Sequence, residues 1–81
     1  MKITNEWNVP NQFVIKTEEG QYFQSYKSII VFIPKEGKTQ LGKDWDYSKT
    51  TGKYRNKFLN ETKKETENKL KNGEYILNEN L

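Results

Sequence analysis

Ser28-Ile29-Ile30-Val31-Phe32-Ile33-Pro34 decides the reading of this chain. It contains the longest apolar run in the sequence, and four of its five apolar residues are β-branched. β-Branched residues lose little side-chain freedom in extended backbone, and proline cannot donate to a ladder beyond the stop. The run therefore predicts a central strand covered on both faces.

The neighbouring segments support a sheet. Upstream, Tyr22 to Tyr26 reads as a strand, preceded by a Glu18-Glu19-Gly20 turn in which Gly20 can take positive φ. Before the turn, Gln12 to Thr17 alternates, and its period of two predicts a half-buried strand with Phe13 and Ile15 facing inward. Downstream, Pro34-Lys35-Glu36-Gly37 forms a second turn and Thr39 to Leu41 a short strand. Residues 12–44 are thus expected to form an antiparallel β-meander, with residues 1–11 an irregular lead-in.

The period changes after Trp45. Tyr47, Thr51, Tyr54 and Phe58 recur at spacings of four, three and four, which makes one helical stripe. Ser48 or Asp46 can cap its start, and Asn60-Glu61 marks its end. Gly52 inside it costs about 1 kcal/mol relative to Ala. A second helix is expected from Thr62 to Asn72, because Thr62 and Glu65 have capping-box spacing and Asn72-Gly73 is a stop signal. Thr66 and Leu70 mark its inner face. Residues 45–72 are read as two helices and residues 73–81 as a short strand and tail.

The expected fold is one α+β domain over residues 1–81, an antiparallel sheet of three to five strands packed with two C-terminal helices. Its expected core is Phe13, Ile15, Ile29, Val31, Ile33, Leu41, Trp45, Tyr54, Phe58 and Leu70. At 81 residues, with 32% hydrophobic and 31% charged, the core is thin, and self-association into a homodimer would extend it.

Composition narrows the chemistry. There is no cysteine and no histidine, so thiolate nucleophiles, disulfides, Cys- or His-ligated zinc and His-based triads are excluded. Asp44-Trp45-Asp46-Tyr47-Ser48 opens like a calcium loop, but Lys49 and Arg55 stand where that loop needs Gly and Glu. Gly37-Lys38-Thr39 ends like a phosphate loop, but Phe32 occupies the place of its first Gly. No catalytic, cofactor or metal site is expected, and the chain is read as a binding protein rather than an enzyme. Met1 to Glu6 shows no secretory leader, no membrane partner is expected, and the expected location is the cytoplasm.

The net charge is +3, and every basic residue except Arg55 is Lys. Residues 47–59 hold Lys49, Lys53, Arg55 and Lys57, with aromatics between them and no acid. Basic residues interleaved with aromatics suit single-stranded nucleic acid, through phosphate neutralisation and base stacking. The same spacing suits an ordinary amphipathic helix with Tyr54 and Phe58 in the core and its lysines solvated. These four residues are the candidate contacts to a partner or to nucleic acid.

Trp45-Asp46-Tyr47-Ser48-Lys49-Thr50-Thr51-Gly52-Lys53-Tyr54-Arg55-Asn56-Lys57-Phe58-Leu59, with Phe23 to Ile30 and Gly73-Glu74-Tyr75, resembles a family of small proteins encoded by phages, prophages and plasmids of Gram-positive bacteria. The likeness spans roughly residues 22–77, and no activity or functional residue is assigned to that family. The resemblance implies an accessory protein of a mobile element. Such proteins often bind and disable a host system, as anti-CRISPR and other anti-defence inhibitors do. The partner would be a host protein or a protein–nucleic-acid complex, met through an acidic surface or a guide or target strand, because a basic chain is a poor mimic of DNA. The alternative is a small nucleic-acid-binding module using residues 47–59.

Overall fold

The computed structural model describes Met1–Leu81. Six strands and two helices follow in the order β1 (Lys2–Thr4), β2 (Gln12–Thr17), β3 (Gly20–Ser25), β4 (Ser28–Pro34), β5 (Gln40–Leu41), α1 (Lys49–Leu59), α2 (Lys63–Lys71) and β6 (Ile76–Leu77). The class is α+β with two helices, as expected, but the sheet is larger. All six strands form one sheet in chain order. The first four pairings are antiparallel, whereas β6 joins β5 in parallel. The wholly antiparallel expectation fails there for a topological reason. The two helices form the crossover between β5 and β6, and a crossover of that length returns the chain to run alongside.

The expected irregular lead-in contains β1, which pairs with β2. Its loop then carries Trp7 onto the core, edge-on to Phe23 at 5.7 Å and tilted against Tyr54 at 5.4 Å.

Register separates the two faces of the sheet. Thr4, Val14, Phe23, Val31 and Leu41 are cross-strand partners and form the inner row. Val14, Phe23, Val31 and Leu41 are fully buried. Phe58 of α1 stacks on Phe23 at 5.6 Å, and Trp7, Leu59 and Leu70 pack against the same cluster. The outer row is Ile3, Ile15, Tyr22, Phe32, Gln40 and Ile76. No helix covers it.

The expected inward face of β2 is therefore off by one residue. Gln12 and Val14 are buried, whereas Phe13 and Ile15 lie half-buried on the outer face. Period two detects alternation, but with apolar residues at 13, 14 and 15 it does not fix which phase points inward. Nor is β4 covered on both faces. A bulge opposite Phe23 and Gln24 adds one residue, and Ile30 and Val31 both turn into the core. Ile29 and Phe32 stay half-buried on the open side. Of the expected core, Val31, Leu41 and Tyr54 are buried, while Ile33, Trp45, Phe58 and Leu70 are partly buried against it. Ile30, Phe23, Val14 and Tyr75 complete it.

Both helices form as their caps dictate. Ser48, not Asp46, caps α1 by accepting from the Thr51 N–H at 3.2 Å, and Asn60 ends it in the left-handed region. Thr62 and Glu65 form the reciprocal capping box of α2. Tyr47 lies outside the helix and is 74% exposed, so it is not part of the inner stripe.

Candidate functional site

Two of the three segments that carried the family likeness, residues 23–30 and 45–59, meet at the N-terminal end of α1. The β3–β4 hairpin brings the first. Tyr26 and Lys27 form its two-residue loop, with Ser25 opposite Ser28. Tyr26 takes the first loop position at φ 56°, where such turns favour glycine. A bulky side chain there costs on the order of 1 kcal/mol and persists only when its surroundings hold it. Two hydrogen bonds of 2.7 Å do so. The Tyr26 N–H donates to the Asn11 carbonyl, and the Gln24 side-chain amide donates to the Tyr26 carbonyl.

The second segment, with Asp44 just before it, supplies the opposite wall. Asp44 accepts from the Ser28 hydroxyl at 2.7 Å, and the buried hydroxyls of Ser25 and Thr51 share a hydrogen bond of 2.9 Å. Between the walls lies a cleft of about 710 Å³ lined by hydroxyl-bearing residues, Asn11, Lys27, Ile30 and Asp44. Tyr26 and Tyr47, about half and three-quarters exposed, line it too.

Beside the cleft, Lys49, Lys53 and Lys57 are exposed on α1 at intervals of four residues. They form one ridge roughly 12 Å long at 1.5 Å rise per residue. Lys53 and Lys57 each place their ammonium 5.5 Å from the Tyr54 ring centre. The first turn of α1 has no acid. Lys49 stands at the positive end of the helix dipole, where a cation is disfavoured by a few tenths of a kcal/mol. At this end the dipole and Lys49 stand beside Asp44 and Asp46, the latter paired with Lys63, while Lys57 lies in the last turn.

Arg55 behaves differently from the other three candidates. It is 1% exposed and committed to internal partners. Its guanidinium donates to the Trp45 carbonyl at 2.6 Å and to the Asn56 side chain at 3.0 Å, and it lies over the Trp45 indole at 5.1 Å. Asp46 reaches it at 3.5 Å and pairs with Lys63 at 2.7 Å. That hydrogen bond to Asp46 is the main cause that raises the Lys63 pKa. Arg55 therefore fastens the 45–48 turn to α1 and takes no part in a contact surface. Tyr54 is buried as well, and Phe58 is stacked inside on Phe23. Tyr54 and Phe58, the aromatics of α1 itself, are core residues and offer no stacking platform. Tyr26 and Tyr47 are the aromatics this surface does present. The sequence did not mark Tyr26: it was read as the end of a strand, and Tyr26-Lys27 carries none of the residues that announce a tight turn.

A second polar cluster fastens the C-terminal segment. Glu61, with a side chain 3% exposed, accepts from Lys69 at 2.7 Å, from the Tyr75 hydroxyl at 2.8 Å and from Thr66. Burial works to raise the Glu61 pKa, but the hydrogen bonds from Lys69, Thr66 and Tyr75 outweigh it and hold the carboxyl below its ordinary value. Burial, with the bond to Glu61, pushes Tyr75 up to about 12. No group of three or more His, Cys, Asp or Glu is placed to hold a metal, and no helix is long and apolar enough to cross a membrane.

Residues 2–75 match the model of a family of unknown function, DUF8033. No curated protein and no solved structure matches the chain.

Proposed function

We propose that this chain, which belongs to the DUF8033 family, works by binding, and that it docks the N-terminal end of α1 on an acidic surface of a partner protein. The observation that carries this reading is the segregation of side chains within residues 44–59. Arg55 and Tyr54 are buried, whereas Tyr47 and the lysines at 49, 53 and 57 are exposed. Exposed tyrosines make effective interface anchors because they bring large area at low entropic cost. Lysines around them steer an acidic partner and set its orientation. The cleft between Tyr26 and Tyr47 has room for an inserted side chain or loop.

The finer reading is an accessory protein of a mobile element that disables a host defence system by this contact. Its support is the likeness described above for residues 22–77. Burial of Tyr54 and Phe58 leaves Tyr26 and Tyr47 as the rings beside the lysines, fewer than the basic segment suggested for the nucleic-acid alternative, which needs stacking as well as charge.

The test is affinity capture from bacterial host lysate, with and without nuclease, beside a Lys49→Glu/Lys53→Glu/Lys57→Glu variant and Tyr47→Ala. The expected result is one acidic protein retained after nuclease, released as salt rises, and lost with both variants. Retention of nucleic acid alone, or an unchanged set of captured proteins with both variants, overturns the reading.

A further inference from the structure

The open face of the sheet lies on the other side of the molecule from the helices, and its chemistry is the reverse of theirs. Its central row, Ile3, Ile15, Tyr22, Phe32, Gln40 and Ile76, crosses all six strands without a charged residue. The row beside it, Phe13, Gln24 and Ile29, has none either. In a chain that is 31% charged, so large a neutral area is a marked departure. Ile3 is 56% exposed and Ile76 46%. In the middle, Tyr22 and Phe32 stack at 4.4 Å with their planes 15° apart, a pair in which each ring holds the other in place.

We propose that this face is covered by a second copy of the same chain, sheet on sheet, in a weak symmetric dimer. Charge favours this occupant. The seven lysines of α1 and α2 lie on the helical side. Stacking two neutral sheets sets no like charges against each other and leaves both basic surfaces pointing outward. Area sets the strength. Strands about 4.8 Å apart, three of them roughly 20 Å long and β1, β5 and β6 no more than about 10 Å, give a face of about 400 Å². Two copies bury about 800 Å² between them, the range of a weak, transient interface. The stacked Tyr22–Phe32 pair sits near the centre, where a two-fold axis brings it against its own copy. The dimer is a sandwich of two sheets with helices outside, and it carries two copies of the Tyr47 and lysine surface facing away from each other.

Sedimentation of the full chain from roughly 1 µM to 1 mM tests this. The expected result is a monomer–dimer equilibrium with a Kd on the order of 10–100 µM. Because apolar area drives it, added salt leaves the dimer unchanged or tightens it, unlike docking through the lysine ridge. Tyr22→Lys should weaken it more than tenfold, and so should the Ile3→Lys/Ile76→Lys pair, whose exposed positions do not threaten folding. Lys53→Glu should have no effect, which separates this interface from the partner-docking surface. A folded monomer at every concentration overturns the proposal. So does a dimer indifferent to the Ile3/Ile76 pair, or assembly growing past two copies, which would point to edge pairing at β1.

Discussion

Tyr22 and Phe23 are neighbours on β3, yet they face different surroundings. Phe23 is fully buried beneath Trp7 and Phe58, whereas Tyr22 stacks on Phe32 on a face that no element covers. The inner face rests on dense aromatic packing closed by polar ties. The outer face is as free of charge along its central row as the inner one, but it has no layer above it. The inner side thus accounts for the stability of the lone chain, and the outer side for area still open to a partner.

The sharpest way to break that contrast is to remove the same side chain from each face. Phe23→Ala should cost about 4 kcal/mol, by lost burial and a cavity. Phe32→Ala should cost about 2 kcal/mol or less in dilute solution, since part of its ring is already wet. Urea unfolding measures both, and equal costs would mean that the outer face is as closed as the inner one. Arg55→Ala should cost about 3 kcal/mol, because the Trp45 carbonyl loses its partner and the guanidinium packing is lost. A loss under about 0.5 kcal/mol would place Arg55 on the surface after all.

The polar ties sharpen the comparison through pH. The Glu61 pKa is lower folded than unfolded, so its contribution is present above the ordinary carboxylate value of 4.5 and fades as pH falls through the folded value. Tyr75 is shifted the other way. Its contribution holds below pH 10 and is lost as pH rises toward about 12. A melting-temperature profile should fall at both ends, and Glu61→Gln should flatten the acid limb. The smallest effect expected is a gain. A methyl group added at Gly52 meets the Arg55 guanidinium no closer than 3.6 Å, an ordinary contact. Gly52→Ala should therefore stabilise by about 0.5–1 kcal/mol in the same unfolding assay.

Local signals were legible in the sequence and long-range ones were not. Caps at Ser48, Thr62 and Asn60, the Glu18–Gly20 turn and the stop at Asn72-Gly73 depend on a few adjacent residues, and each stands where those residues indicate. β1 was missed because Lys2-Ile3-Thr4 is too short to show alternation, and it becomes a strand only by pairing with β2. The parallel β6 depends on where two helices return the chain, which no local pattern states. The phase of β2 turned on which face of the sheet the helices close, and β2 itself does not state that. At the candidate site, the lysines were legible as a group. The burial of Arg55 was not, since a lone arginine among lysines reads as more of the same until the Trp45 carbonyl is seen to need a donor.

The parallel seam between β5 and β6 has a consequence for the order in which the chain assembles. The first four strands join near neighbours through short connections, and closing such small loops takes little entropy. The last seam waits for a segment some 35 residues away, and its ladder is only two residues long on each strand. Amides such as Ile76 and Asn78, which donate to the Thr39 and Leu41 carbonyls, therefore close last and open first. The sheet behaves as a slow clasp on a fast meander, and native-state hydrogen exchange would find its weakest protection at that clasp.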